Sequence, residues 1–297
     1  MPATKLSSLI ALRTGYRLSP GLATANLTGC SEGAPRSGLS VPLGRSSRWA
    51  LALLALVGLA LANPGAARAA NSPADTARQY LEQAQQRFQA APDNVEAAWQ
   101  FARACFDLAE FATKNAERAK LAEQGIDASR KALARDSNSA PAHYYLGMDL
   151  GQLARTRGLS ALKLVNQMER EFNQARLLDE HFDHAGPDRN LGLLYRDAPS
   201  IGSIGSRSHA REHLKRAVEL AADYPENRLD LIESLWKWGD KEAARRELAA
   251  LEESLPAARA KLTGAAWAAS WTDWDAQRAT WQKRILGSDK KLEAPRH

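Results

Sequence analysis

The sequence has 297 residues, with 40 Lys or Arg and 34 Asp or Glu, and its formal net charge is +6. This length allows one or two domains. Residues 1–69 hold seven basic residues and one acidic residue, which leaves 40 − 7 = 33 basic and 34 − 1 = 33 acidic residues in the remainder. Nucleic-acid binding requires a basic face on the folded domain. The neutral balance after residue 69 therefore argues against a nucleic-acid-binding protein.

Residues 45–69 contain the three parts of a secretory signal peptide. Arg45 and Arg48 form the basic start, residues 49–62 are an uncharged run rich in Leu and Ala, and Ala67-Arg68-Ala69 has the A-x-A cleavage pattern. Crossing a bilayer takes about 20 apolar residues, and this run is shorter. We therefore expect a cleaved signal and an exported, periplasmic protein without a membrane span, with a retained anchor as the alternative.

The first 44 residues precede this signal and show no periodic apolar face. They are rich in Ser, Gly and Leu and contain a single acidic residue. We interpret residues 1–44 as a disordered extension or the result of a mis-assigned start. A transit peptide is the rival interpretation, because such peptides are also rich in Arg and Ser and poor in acids.

One spaced pattern occurs twice in the remaining chain. Ala77-x3-Leu81-x2-Ala84 is followed by a proline eight residues later, and residues 210–225 repeat the same spacing and the same residue types. Small residues let a neighbouring helix approach closely, and the large residue fills the space between helices. Repetition of this kind indicates a helical-repeat architecture.

Apolar residues recur at three- and four-residue spacing from residue 74 onward, as in an all-α chain. First helices of successive pairs are predicted to begin near Val95, Pro141, Pro187 and Pro225, and three of these four starts are prolines, which suit a first helical turn. The tetratricopeptide pattern W-x2-L-G-x2-Y appears in these helices in degraded form. Second helices are predicted near residues 116–135, 159–182, 207–222 and 240–254.

The fold class predicted from these patterns is all-α, an irregular tetratricopeptide-like helical-repeat solenoid over residues 70–256. Residues 257–297 are predicted to form a Trp-rich capping helix and tail. Four tryptophans, at positions 267, 271, 274 and 281, share one helical face. Repeat stacks require an end cap, although an exposed tryptophan face that docks a partner is the alternative.

No arrangement of residues indicates catalysis, so we expect no enzyme activity. His209 and His213 share one helical face, but no Cys lies near them and no H-E-x-x-H motif occurs, so we expect no metal and no cofactor. The Gly/Ser-rich segment 196–207 lacks a P-loop ending and is interpreted as a connector. Cys105 is expected to be a buried free thiol.

Four segments occur in a characteristic order, namely His143-Tyr-Tyr-Leu-Gly147, the segment from His184-Ala-Gly-Pro to Asp-Ala-Pro199, Ile204-Gly205, and Tyr224-Pro-Glu-Asn-Arg-Leu229. Together they resemble the T-component proteins of TRAP transporters, a family of periplasmic or lipid-anchored tetratricopeptide proteins. The resemblance covers roughly residues 95–255. A more distant resemblance is to the regulators of microtubule dynamics. The T-component resemblance implies a protein that works with a periplasmic solute-binding protein.

We therefore expect a non-catalytic, exported scaffold that binds a protein partner and is an accessory of a TRAP-type transporter. The alternative is a carrier of an apolar or carboxylate ligand in the helix groove near residues 187–207. Candidate partner- or ligand-binding residues are His143, Tyr144, Arg189, Asn190, Tyr195, Arg196, Arg207 and Arg228.

Overall fold

The computed structural model describes residues 72–158 and 160–292, the last five by their backbone alone. The predicted extension at 1–44 and the predicted signal peptide at 45–69 lie outside these residues. The described residues belong to one unit and contain no strand. The α-helices are α1 (Pro73–Ala90), α2 (Val95–Ala109), α3 (Asn115–Arg135), α4 (Ala140–Arg155), α5 (Ala161–Leu178), α6 (Phe182–Asp197), α7 (Arg207–Leu220), α8 (Pro225–Lys237), α9 (Lys241–Lys261) and α10 (Ala268–Leu292).

Local signals at the helix starts agree with the sequence-based expectation. The side chains of Asn94, Ser139, Ser206 and Asp240 accept hydrogen bonds from backbone amides in the first turns of α2, α4, α7 and α9. Such caps satisfy amides that have no partner within the helix. The helices that follow begin within a few residues of their predicted positions.

Consecutive helices pack in pairs, namely α2 with α3, α4 with α5, α6 with α7, and α8 with α9. Each second helix also contacts the first helix of the next pair, and the first helices α2, α4, α6 and α8 contact one another in succession. Helix α1 packs on α2 and completes the start of the stack. This confirms the predicted all-α helical-repeat fold with about four pairs.

Two glycines explain how the paired helices approach so closely. A Cβ atom at Gly147 in α4 would lie 2.6 Å from Cε1 of Phe172 in α5, and one at Gly192 in α6 would lie 2.6 Å from Cγ of Leu214 in α7. In these two pairs, the large residue of the second helix therefore packs directly over the glycine of the first helix. The Leu-Gly sequence of the first helix and the small-large-small pattern of the second helix therefore supply the two sides of the same helix–helix contact.

The C-terminal segment packs against the last pair. Helix α10 and the short 3₁₀ helix before it (Ala265–Trp267) contact each other, and α10 contacts α8 and α9. Trp267, Trp274 and Trp281 are buried. The predicted capping helix is confirmed, since these tryptophans face the last pair.

The largest difference from the expected helix boundaries lies at the end of α9. Helix α9 continues through Pro256 and ends at Lys261, rather than near residue 254. The buried residues Leu255 and Ala258 extend the apolar stripe of this helix past the proline, which is itself exposed. Packing of that stripe therefore outweighs the backbone hydrogen bond that the proline removes.

None of the helices within residues 72–158 and 160–292 has both the length and the apolar character that crossing a bilayer requires.

Asp149 of α4 is buried in an environment that disfavours its charge. A Cβ at Gly125 of α3 would lie 2.1 Å from Asp149 Oδ2, so the glycine makes room for the carboxyl group. Neither carboxyl oxygen has a hydrogen-bond partner among the described residues. Burial, with a smaller effect from the Asp107 charge, raises the pKa of Asp149 well above its usual range. Burial and the Asp149 charge also raise the pKa of the Cys105 thiol, which is free and buried as expected.

We expect Asp149→Asn to raise the free energy of unfolding at pH 7.5 by about 1–3 kcal/mol, because it removes a buried charge while keeping the side-chain shape. The folded-state pKa lies above the unfolded value, so the folded chain holds the proton more tightly between the two values. Wild-type stability therefore falls as pH rises through that window. The increase in the free energy of unfolding that the substitution causes should be smallest at about pH 4, where the aspartate side chain is largely protonated in the folded state and about half protonated in the unfolded state. Urea unfolding at a series of pH values measures this, and a gain that does not depend on pH would contradict the assignment.

Candidate partner-binding surface

A buried polar network joins three of the first helices. The Arg189 side chain of α6, only 1% exposed, binds Asp183 with Nη2 3.1 Å from Oδ2, and its Nη1 donates to Asn227 Oδ1 of α8 at 2.9 Å. The Tyr144 hydroxyl of α4 donates to Asp183 Oδ2 at 2.7 Å. Asn190 Nδ2 donates to that same hydroxyl at 2.9 Å. The network thus connects α4, α6 and α8 through charged and neutral hydrogen bonds.

The first residues of α6 form an unusual left-handed turn. Asp183, His184 and Ala185 have φ values of 50°, 57° and 61°, a conformation that costs about 1–2 kcal/mol per non-glycine residue. The network stabilises this turn, because Asn227 Nδ2 donates to the His184 carbonyl at 3.0 Å. The His184 ring also stacks on Tyr224, with ring centroids 4.2 Å apart. The right-handed part of α6 then begins beside Pro187, as the sequence predicts.

A second polar cluster lies toward the other end of α6. Arg196 has its side chain 3% exposed and binds Asp197 through two hydrogen bonds of 2.7 Å. Its Nη1 lies 3.5 Å from Glu233 Oε2 and 3.2 Å from Ser234 Oγ, both on α8. These carboxylates raise the pKa of Arg196, although burial acts in the opposite direction. Arg196 is thus fully engaged by groups of the chain itself.

Helix α8 turns an acidic row toward α6. Glu226, Asp230 and Glu233 are separated by four and three residues and share one helical face, and all three are buried. Trp274 Nε1 donates to Glu226 Oε2 at 3.3 Å, and Lys237 Nζ lies 3.2 Å from Glu233 Oε1. Asp230 Oδ2 is buried and has no hydrogen-bond partner among the described residues. Burial, followed by the Glu226 charge, raises the pKa of Asp230 well above its usual range.

Two of the candidate residues hold the helices of a pair together. His143 Nδ1 lies 2.7 Å from Glu171 Oε2 of α5, and this hydrogen bond raises the pKa of His143. Arg228 binds Glu247 of α9 in the same way. Both residues occupy the first position of the degraded tetratricopeptide pattern. Ion pairs between the two helices therefore replace the packing of the usual tryptophan at this position.

Tyr195 and Arg207 are placed apart from the buried network. The Tyr195 hydroxyl donates to Glu169 Oε1 at 2.5 Å, and burial together with this bond raises the pKa of Tyr195 to about 12. Arg207 is exposed, and its guanidinium lies 5.4 Å from the ring centroid of Trp238. Of the eight candidate residues, the structure joins Tyr144, Arg189 and Asn190 in one network and places the other five in separate contacts.

The Gly/Ser-rich connector after α6 is closed on itself. Gly205 N donates to the Pro199 carbonyl at 3.0 Å, and a Cβ on Gly205 would lie 2.1 Å from the Ala198 carbonyl oxygen. Ile201, at the tip, is 92% exposed. The Gly205 amide therefore closes the turn of the connector itself, in agreement with the interpretation of this segment as a connector.

The histidines of α7 are engaged within the chain. His213 Nδ1 lies 2.7 Å from Asp188 Oδ1, and the His209 ring packs against Tyr195. In the part of the chain that the structure describes, no group of three or more His, Cys, Asp or Glu side chains is arranged to hold a metal ion.

Sequence analysis did not identify the acidic row of α8 or the role of Asp183. The spacing of Glu226, Asp230 and Glu233 indicates that they share one face of a helix. Charged residues at this spacing ordinarily lie on a solvent-exposed face, so the spacing does not predict their burial. Only the packing of α8 against α6 and α10 buries them. Asp183 precedes the predicted helix start and carried no signal.

Comparisons with known proteins agree with this architecture. The profile of the family described as "Regulator of microtubule dynamics protein 1-3" matches residues 66–181, less than half of the chain. No curated protein sequence matches the chain.

Several solved structures are similar to the fold. The crystal structure of a thermophilic TPR protein of Thermus thermophilus matches with 19% sequence identity and a TM-score of 0.54. The match covers 70% of this chain and 91% of the Thermus chain. YrrB, described as a TPR protein with an unusual peptide-binding site, has 16% identity, covers 70% of this chain and 92% of its own, and gives a TM-score of 0.42. PilF of Pseudomonas aeruginosa matches with 17% sequence identity and a TM-score of 0.37, and the match covers 71% of this chain and 93% of the PilF chain. The chain has a tetratricopeptide-like helical-repeat fold, and residues 66–181 are similar to the regulators of microtubule dynamics.

Proposed function

We propose that this chain is an exported, non-catalytic scaffold that binds a protein partner along the first helices α4, α6 and α8. The supporting observation is the tetratricopeptide-like stack itself, whose first helices lie side by side and carry charged residues between them. Repeat stacks of this kind present extended surfaces to other proteins. Export is part of the proposal and rests on the signal-peptide pattern at residues 45–69.

The more specific role, as an accessory of a TRAP-type transporter, rests on the sequence resemblance alone. The most specific part of that resemblance is the segment 184–199. In the structure, this segment supplies the left-handed turn and the Arg189 and Arg196 contacts. Its residue pattern therefore has a structural role in this chain that does not depend on a partner.

The carrier alternative has less support. Arg196 is bound by Asp197 and Glu233, and Arg207 stacks on Trp238, so neither cation is placed to receive a carboxylate ligand without losing its present contact. The Gly205 amide of the connector donates to the Pro199 carbonyl within the same turn. We therefore favour the scaffold.

Site-specific photocrosslinking tests the scaffold proposal. A photoreactive residue at Lys237, which is exposed on α8 beside Glu233, should form a defined adduct with one protein in cells of the source organism. The matched control is Lys215, exposed on the second helix α7. We expect an adduct at position 237 and none of the same mass at position 215.

Two results would contradict the proposal. One is the absence of any adduct at position 237 when the protein is folded and present at native level. The other is an identical set of adducts at positions 237 and 215, because a partner bound along the first helices should not reach both equally.

A further inference from the structure

Two tryptophans lie at the C-terminal end of α8, and each contacts a cation from another helix. Arg207 of α7 has its guanidinium 5.4 Å from the ring centroid of Trp238, and Lys241 of α9 has its Nζ 5.4 Å from the ring centroid of Trp236. Arg207 and Lys241 are exposed, whereas the two rings are partly buried. The cations are therefore more accessible to another molecule than the rings are.

Helix α10 extends this arrangement. Trp281 packs against Trp236, with ring centroids 6.3 Å apart, and the guanidinium of Arg284 lies 5.1 Å from the Trp281 centroid. Trp281 is buried, and Arg284 is exposed. The term cation–tryptophan surface is used here for Arg207, Lys241, Arg284, Trp236, Trp238 and Trp281.

The three cations of this surface are not paired with acids of the chain. None of their side chains has a carboxylate or hydrogen-bond partner among the described residues. The acidic residues nearest to them in sequence, Asp240 and Glu242, are bound by other cations. Asp240 Oδ2 lies 2.8 Å from Arg211 Nη1, and Glu242 Oε1 lies 2.6 Å from Arg245 Nη1. The surface therefore presents three positive charges that are open to an anion from outside.

The ring contacts can be exchanged for contacts with carboxylates. A cation–π contact at an exposed site is weak, whereas hydrogen bonds from a guanidinium or ammonium group to a carboxylate are about twice as strong as neutral ones. Arg211 also lies 5.4 Å from the Trp238 centroid, so this ring keeps a cation when Arg207 turns away from it. One carboxylate would replace only one ring contact, but a segment with several carboxylates can engage all three cations at once.

We propose that the cation–tryptophan surface binds an acidic segment of the protein partner, whose Asp or Glu side chains accept hydrogen bonds from Arg207, Lys241 and Arg284. The inference rests on the proposed scaffold function and names the chemistry of the partner where it passes the end of α8. A nucleic acid fits less well, because the chain after residue 69 has equal numbers of acidic and basic residues. A lipid surface also fits less well. Tryptophans that anchor a protein in a bilayer sit at the level of the headgroups, whereas these rings are buried or partly buried within the protein.

Two peptides titrated into the full chain by isothermal titration calorimetry test this proposal. One is an acetylated and amidated twelve-residue peptide of alternating glutamate and serine, and the other has glutamine in place of every glutamate. Glutamine keeps the shape of glutamate without its charge. We expect the wild-type protein to bind the glutamate peptide at least about tenfold more tightly at moderate salt.

Paired substitutions assign the binding to this surface. Lys241→Gln combined with Arg284→Gln removes two of its charges and should reduce the preference for the glutamate peptide to less than about threefold. The control combines Lys163→Gln and Lys215→Gln, which remove two charges from exposed positions of α5 and α7, and it should keep the full preference. Circular dichroism melting confirms that each variant is folded. Arg207→Gln, with the same expected direction, takes the place of the first pair if that variant is not folded.

Three kinds of result would overturn the proposal. The first is equal binding of the two peptides by the wild-type protein. The second is an equal loss of preference in the two double variants, which would indicate general charge attraction. The third is tighter binding of a twelve-nucleotide thymidine strand, or of vesicles that contain phosphatidylserine, than of the glutamate peptide. That result would assign the surface to another class of partner.

The crosslinking test at Lys237 separates this proposal from the scaffold function. An adduct at position 237 without a preference for the glutamate peptide would support the scaffold and overturn the acidic segment as its ligand. A preference for the glutamate peptide without any adduct at position 237 would support the anion-binding surface and contradict the scaffold function.

Discussion

Arg189→Met is expected to lower the free energy of unfolding by about 3–5 kcal/mol, since it breaks a buried ion pair by removing one partner. The substitution takes two N–H groups from the Asp183 carboxylate and the Asn227 amide. It also removes the cation that lies 5.5 Å from the Tyr224 ring centroid. The left-handed turn at residues 183–185 should then lose much of the hydrogen bonding that offsets its conformational cost.

Arg228→Met provides the matched control, because it removes the same group from an ion pair at the edge of the stack. The Arg228–Glu247 pair is partly exposed and joins the two helices of one pair. Because both partners are more exposed than Arg189 and Asp183, its loss should cost less than the loss of the Arg189 pair. Guanidinium unfolding measured by circular dichroism compares the variants. Equal effects of the two substitutions would contradict a special role for the Arg189 network.

Trp274→Ala should also lower the free energy of unfolding by about 3–5 kcal/mol, the usual cost of removing a large buried aromatic side chain. Trp274 is 2% exposed and packs edge-on against Tyr224, with centroids 5.3 Å apart. Its indole N–H donates to Glu226 Oε2 of α8. The substitution should therefore detach α10 from the last pair as well as create a cavity.

The control for this prediction is Leu286→Ala on the same helix. Leu286 is exposed, and surface substitutions usually change stability by about 0.5 kcal/mol or less. Limited proteolysis adds a local readout, because cleavage should begin within α10 in Trp274→Ala and not in Leu286→Ala. A Trp274→Ala protein with wild-type stability and an intact α10 would show that the helix does not cap the stack.

Local residue patterns determined most of the fold. The caps at Asn94, Ser139, Ser206 and Asp240 and the prolines near the helix starts act within one turn, so their effect is readable without tertiary structure. The glycine of the first helix and the large residue of the second, such as Gly147 and Phe172, are likewise visible as a spacing. The tryptophans of α10 were also predicted to form a cap, because their period places them on one face.

The candidate surface was much less predictable. Arg189 and Arg228 are both candidate binding residues on the sequence pattern, and nothing local separates them. The structure buries Arg189 against Asp183 and Asn227, 6 and 38 residues away in the chain, and pairs Arg228 with Glu247. The binding role of the candidate residues stays a prediction, but the two arginines now have different expected effects on stability.

The repeat architecture was therefore readable from the residues in order, since helix period, caps and close-approach glycines act over one or two helices. The burial of particular charged residues, and the partners they find, emerged only once the helices were packed together. That packing placed the acidic row of α8 between α6 and α10, and it set the left-handed turn before Pro187. The physical reason is that the free energy of a charge depends on desolvation and on neighbours distant in the chain, and neither is encoded in local spacing.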